Sequence, residues 1–91
     1  MSRTSSPDFF LNPKILNELP FVLEDAPNKL RGHAPKARSE AFIRAMIRDG
    51  RTSPVTGEIV KLECCYLDTC VLATSVEAYG RFMRRLNGEN P

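Results

Sequence analysis

KLRGHAPKARSEAFIRAMIRDGR, residues 29–51, is the stretch from which the fold is predicted. Within it, Ser39 is a favourable helix N-cap, and Gly50 directly after Asp49 is typical of a helix end. Apolar side chains recur between them at helical spacing, in the set Phe42, Ile43, Met46 and Ile47. This spacing predicts an amphipathic helix over residues 39–49 whose apolar stripe packs in the core.

The same stretch concentrates the positive charge of the chain. Residues 29–51 hold seven Lys and Arg against two Asp and Glu, whereas the chain as a whole has a net charge of only +2. Cations grouped within an otherwise near-neutral sequence are typical of phosphate binding, because each neutralised phosphate releases counterions. A solvated basic face is the structural alternative. On the outer face of the helix, Arg38, Arg44 and Arg48 would reach bases or phosphates.

Two short helices are predicted before this stretch. Asn12 followed by Pro13 is a helix-start signal, and it predicts a helical turn over residues 14–19 that Pro20 ends. A second helix is predicted over residues 23–30 from its apolar spacing and from the acidic residues in its first turn.

A β-hairpin and a last helix are predicted after it. Strand-forming residues occupy 60–67 and 70–73, and they are joined by a two-residue turn at Asp68-Thr69. Thr74 and Glu77 then form a capping box that opens a helix over residues 74–87. The arginines of this helix are expected to stay on its outer face: Arg81, Arg84 and Arg85.

The order of these elements predicts the fold class. It is mainly α with a small antiparallel hairpin, in the form of a winged helix-turn-helix with three to four short helices. The length of 91 residues allows one domain, so we expect a flexible N-terminal segment over 1–11 and a single domain over 12–88.

Composition and cysteine usage limit the function classes. No apolar run is long enough for a membrane span or a signal peptide, which predicts a cytoplasmic protein. An odd number of cysteines predicts buried, reduced thiols, and under the predicted register Cys65 lies opposite Leu72, diagonal to Cys70. Paired C-x-x-C spacing and a glycine-rich phosphate loop are both missing from the sequence, and His33 has no evident catalytic partner. We therefore expect neither a metal, nor another cofactor, nor an enzyme.

Several segments resemble the excisionase and MerR-like winged helix-turn-helix group, especially its small bacterial members of unknown function. These segments are LEDA at 23–26, IRDG at 47–50, VKLE at 60–63, TSVEA at 74–78, RF at 81–82 and Leu86. The resemblance implies that the second of two paired helices enters the DNA major groove, with Arg38, Arg44 and Arg48 as groove or phosphate contacts. It also implies that the hairpin wing contacts flanking backbone through Lys61.

The sequence thus predicts a DNA-binding protein, sequence-specific or accessory, of the transcription-regulator or recombination-directionality type. Its partner would be double-stranded DNA, with helix 39–49 in the major groove. The predicted contacts are Lys36, Arg38, Arg44, Arg48, Arg51 and Lys61. The alternative is a protein–protein interaction module without DNA binding, in which the apolar cluster Phe9, Phe10 and Leu11 docks onto a second copy or another protein.

Overall fold

Short strands and short helices alternate along the chain, and the computed structural model describes them for residues 9–33 and 39–89. The α-helices are α1 (Ala26–Lys29), α2 (Glu40–Arg48) and α3 (Val76–Leu86). The strands are β1 (Phe21–Val22), β2 (Arg51–Thr52), β3 (Ile59–Val60), β4 (Cys65–Asp68) and β5 (Val71–Thr74). Two 3-10 turns, Pro13–Asn17 and Leu23–Asp25, take the place of the first predicted helix and of part of the second.

The strands form two antiparallel sheets. One has the order β1-β5-β4, with Phe21 opposite Thr74 and Cys65 opposite Ala73. The other contains β2 and β3, with Arg51 opposite Val60. The predicted fold class is therefore wrong: this is a mixed α and β domain and not a mainly α winged helix-turn-helix with one hairpin.

The error lies in the segment that was predicted as one strand over residues 60–67. Gly50 adopts φ +76 directly after α2, and the loop over residues 53–58 then reverses the chain so that β2 pairs with β3. Leu62 then leaves that sheet and donates its amide to the Met46 carbonyl at 3.1 Å. Only from Cys65 does the chain join the second sheet. One run of strand-forming residues thus serves two sheets.

The register of the β4–β5 hairpin also differs from the prediction. Asp68 lies opposite Val71, so Thr69 and Cys70 form the connection, and an irregularity precedes Asp68. The Asp68 carboxylate accepts the Thr69 amide at 2.7 Å and fixes the turn one residue later than predicted. All three cysteines are free; Cys64 and Cys65 are buried as predicted, but Cys70 at the turn is exposed.

Two helix starts are confirmed and one is corrected. The Ser39 hydroxyl accepts the Phe42 amide at 3.1 Å and caps α2, and Asn12 caps the first 3-10 turn. At α3 the cap is Ser75, whose hydroxyl accepts the Ala78 amide at 3.0 Å. Thr74 instead remains in β5 and donates its hydroxyl to the Glu63 carbonyl, so the predicted capping box is wrong by one residue.

The core lies where the three helices meet the larger sheet. The predicted stripe of α2 contributes Ile43, Met46 and Ile47, all buried. The described residues before α2 contribute further buried side chains: Ile15, Phe21, Leu23, Ala26 and Leu30. Tyr79 and Phe82 of α3 belong to the same cluster, which also contains Leu62, Cys64, Cys65, Ala73 and Ala78. Burial of their apolar faces orients α2 and α3 and thereby determines which side chains of each helix are exposed to solvent.

Candidate functional site

The predicted DNA-contacting residues do not form one uninterrupted cationic face. Arg44 and Arg48 are exposed on α2, but Arg44 pairs with Glu40 at 2.6 Å and Arg48 with Asp49 at 3.1 Å. Arg51 is exposed on β2, and Lys61 is half-buried after β3. The remaining two, Lys36 and Arg38, lie outside the described residues.

Asp49 brings a carboxylate into the cationic end of α2. Its pKa is lowered, first by the hydrogen bonds from Arg48 and further by the nearby charges of Arg48 and Lys61. Asp49 therefore stays ionised and offsets part of the charge of both cations. Arg44 borders a separate pocket next to Glu24 and Glu40.

Two arginines that the sequence placed on the outside of α3 turn inward instead. Arg81 donates from Nε to both oxygens of Glu63 at 3.0 Å, and Arg85 donates from Nη1 to Oε2 at 2.5 Å. Asn12 also donates to Glu63 Oε1, at 2.7 Å. Glu63 is 0% exposed, so a charged residue of the predicted hairpin wing is fully buried.

A second carboxylate balances the charge of this group. Arg81 reaches Glu18 through Nη1 at 2.9 Å, and the Ser75 hydroxyl donates to Glu18 Oε1 at 2.8 Å. We call the four residues Glu18, Glu63, Arg81 and Arg85 the ion cluster. Burial by itself raises the pKa of Glu63, but hydrogen bonds from Arg81, Asn12 and Arg85 outweigh it and lower that pKa to about 2. The cluster fastens residues 12–18 to α3, and it leaves Arg81 and Arg85 paired with carboxylates and only partly exposed to solvent.

The loop between β2 and β3, residues 53–58, is fastened to the C-terminal end of α3. Ser53 is 1% exposed, and its hydroxyl donates to the Leu86 carbonyl at 2.7 Å. The same hydroxyl accepts the amides of Val55 and Thr56, each at 3.1 Å. A backbone bond from the Gly57 amide to the Ser53 carbonyl closes the loop at 2.9 Å. The loop conformation is thus fixed by the bond to α3 and by the bonds within the loop.

This anchored loop presents apolar side chains to solvent. Val55 is 65% exposed, and Ile59 at the start of β3 is 67% exposed. A Cβ atom built on Gly88 would lie 3.0 Å from Val55 Cγ1, which places the loop tip against the end of α3. The pairs Ser53-Pro54 and Thr56-Gly57 predict a loop over residues 51–58, of which 51–52 form β2 instead, and Val55 was not singled out within it. A β-branched apolar residue between Ser-Pro and Thr-Gly turn signals was the available clue.

Two grooves flank the loop. A mixed groove of about 620 Å³ has apolar walls from Phe10, Ile59 and Val60, with both signs of charge around them. An apolar groove of about 330 Å³ runs between the loop, α2 and α3. We name it for its six apolar and aromatic lining residues, Phe42, Pro54, Tyr79, Phe82, Met83 and Leu86; the polar residues Arg51, Thr52 and Asn87 complete its lining.

The predicted N-terminal docking cluster is divided between core and surface. Phe9 packs against the core, whereas Phe10 and Leu11 are 39% and 53% exposed. The backbone on both sides of Leu11 is tied to Cys64, by bonds of 3.0 Å to Phe10 and 2.9 Å from Asn12. The Arg85 guanidinium carbon lies 4.8 Å from the centre of the Phe10 ring, so this segment borders the mixed groove.

Comparison with known proteins gives no match, whether to a family model, a curated protein or a solved structure. The resemblance to excisionase and MerR-like proteins therefore stays a prediction, although the fold that it implied is wrong. In the described part of the chain, no helix has the length and apolar character needed to cross a membrane. Residues 9–33 and 39–89 also contain no cluster of three His, Cys, Asp or Glu arranged to hold a metal ion.

Proposed function

We propose that the chain is a protein-interaction module that docks a partner polypeptide on the surface formed by loop 53–58 and the C-terminal end of α3. The supporting observation is the pair Val55, on the loop anchored through Ser53, and Ile59, at the start of β3 directly after it, each about two-thirds exposed. Exposed apolar side chains beside grooves mark binding surfaces, and a loop that is already ordered loses little conformational entropy on binding.

The charges favour this proposal over DNA binding. Phosphate binding requires cations that can replace counterions. On α2 both described predicted contacts are paired with carboxylates, and on α3 Arg81 and Arg85 belong to the ion cluster. The positive charge of residues 29–51 is therefore less available to a polyanion than the sequence suggested.

Selection from a phage-displayed library of random peptides tests the proposal. We expect the wild-type protein to enrich a defined set of peptides, and Val55→Asp to abolish their binding because it places a charge on the apolar loop tip. Val71→Asp is the matched control, since Val71 is 40% exposed on β5 and borders a different pocket. A wild-type protein that enriches nothing, or equal losses in the two variants, would contradict the proposal.

DNA binding is a second proposal, and it is supported by the outer face of α2. Arg44 and Arg48 lie one helical turn apart with side chains 49% and 54% exposed, and the opposite face of the helix is buried as predicted. Arg51 and Lys61 would add contacts. Titration with random duplex DNA at several salt concentrations tests it. Binding that weakens steeply with salt and is reduced by Arg44→Ala supports DNA binding, whereas undetectable binding at low salt excludes it.

For location we propose the cytoplasm, because three free cysteines are in keeping with a reducing compartment. Burial raises the pKa of the Cys64 thiol to about 11, so this thiol stays protonated and unreactive near neutral pH. We propose binding and not catalysis as the activity, because the single histidine of the sequence, His33, is exposed in a turn.

A further inference from the structure

The apolar groove has a floor and walls suited to an inserted side chain. Tyr79 and Phe82 are 2% and 1% exposed and form the floor, with their ring centres 6.1 Å apart. Phe42, Met83 and Leu86 are partly buried and form the walls. A volume of about 330 Å³ lies at the lower end of the range for ligand pockets. Such a groove fits one or two apolar side chains, and the flexible Met83 can adapt to their shape.

Arg51 is the charged side chain that lines this groove, and no acidic side chain of the described residues does so. In contrast to Arg44 and Arg48, Arg51 makes no ion pair with any residue of the described ranges. A guanidinium beside an apolar groove favours a carboxylate, which it can bind through two parallel hydrogen bonds. The mixed groove lacks this selectivity, because Glu58 and Glu89 line it together with Lys61 and Arg85.

The groove is held open by the same contacts that fix the loop. Leu86 contributes its side chain to the groove and its carbonyl to the Ser53 hydroxyl. Arg51 lies in β2 opposite Val60, so its backbone position is set by strand pairing. The apolar wall and the backbone of Arg51 therefore keep a fixed separation before any partner arrives, which limits where the Arg51 guanidinium can meet a carboxylate.

We propose that the apolar groove is the anchor pocket for a partner segment in which a large apolar side chain lies next to an aspartate or glutamate. This inference rests on the proposed function and specifies the chemistry of the partner. The apolar side chain enters between Phe42 and Met83, and the neighbouring carboxylate binds Arg51. Val55, on the adjacent loop tip, contacts the same segment outside the pocket.

Peptide selection with charge-reversed variants tests the proposal. We expect peptides enriched on the wild-type protein to carry Asp or Glu within a few positions of a large apolar residue. Arg51→Glu should weaken binding of such a peptide at least about tenfold, the loss expected for a charge-assisted bond, and should enrich peptides with Lys or Arg instead. Arg84→Glu is the matched control, because Arg84 is exposed on α3 and lines neither groove.

The outcomes separate this inference from the proposed function. If wild-type peptides bind through Val55 but show no preference for acidic residues, or if Arg51→Glu and Arg84→Glu lose equal affinity, the anchor pocket is overturned while the interaction surface stands. If no peptide binds at all, the proposed function itself fails. Arg51→Gln provides a second variant that removes the charge without reversing it, and it should lose the acidic preference without gaining a basic one.

Discussion

Glu63 is a carboxylate that remains charged although it is fully buried. Burying a lone charge is strongly unfavourable, so such a group persists only when it is paired and hydrogen-bonded. Here Arg81, Arg85 and Asn12 all donate to it. The charge of Glu63 therefore stabilises the native packing of residues 12–18 against α3, and its loss leaves two guanidinium groups without their principal acceptor.

Glu63→Gln tests this role because it keeps the shape and removes the charge. We expect the free energy of unfolding to fall by about 2–3 kcal/mol, below the loss for a fully buried pair because Arg81 and Arg85 partly reach solvent. Urea unfolding followed by circular dichroism measures it. Glu58→Gln, on an exposed loop, is the control and should change little. Equal stability of the two variants would show that the ion cluster adds nothing.

The ion cluster also makes stability depend on pH. The pKa of Glu63 is lowered from its ordinary 4.5 to about 2, and that of Glu18 is lowered mainly by the bond from Arg81. Because both native pKa values lie below the unfolded ones, the stabilisation is fully present above about pH 4.5 and is lost as pH falls toward 2. Urea midpoints should therefore drop over this window in the wild type and drop less in Glu63→Gln. Parallel curves would contradict this assignment.

At the scale of elements, those marked by local sequence signals were predicted correctly, whereas a strand defined by pairing with distant residues was missed. Helix α2 was predicted correctly because its cap, apolar stripe and terminal Gly50 lie within one short stretch. Strand β1 has only two residues and pairs with β5, which lies more than fifty residues away. Its sequence therefore has no local periodicity from which a strand could be predicted. At α3 two adjacent hydroxyls could cap the helix, and only the bond from Thr74 to the Glu63 carbonyl leaves Ser75 for that role.

The same distinction applies to the candidate site. Arg51 was predicted as a binding residue from charge, and the structure places it beside a groove that the sequence did not reveal. That groove combines Phe42 from α2 with Met83 from α3, and no sequence pattern predicts such a juxtaposition. The ion cluster was not predicted for the same reason, since Glu18, Glu63 and Arg81 are far apart in sequence.

Ser53 connects the loop to α3, and its removal should loosen the loop. Ser53→Ala deletes the bond to the Leu86 carbonyl and the acceptor for two loop amides, so we expect a stability loss of about 1–2 kcal/mol. Hydrogen exchange of residues 53–58 should accelerate, and peptide affinity should fall although Val55 is intact. Asp68→Ala removes the carboxylate that accepts the Thr69 amide in the β4–β5 turn, away from both grooves, and it should leave both loop exchange and affinity unchanged. Equal effects of the two variants would argue against a preorganised loop.

At the scale of the whole molecule, ion pairing and apolar exposure together determine which surface is available to a partner. The net charge of +2 is low, and many arginines are paired within the protein. Large apolar side chains are exposed in several places, including Leu19, which is 90% exposed in a left-handed conformation with φ +54. Around loop 53–58, exposed apolar residues, an anchored backbone and two grooves coincide.

Chemical-shift mapping with a peptide selected on the wild-type protein tests that surface most directly. Amide and methyl shifts should concentrate in residues 51–59 and 79–88, with the Met83 methyl group and the Val55 amide among the largest. Residues 65–72 and the outer face of α2 should move little, because neither borders the apolar groove. Shifts centred on Arg44 and Arg48, or on the β4–β5 hairpin with loop 53–58 unaffected, would contradict the proposed docking surface.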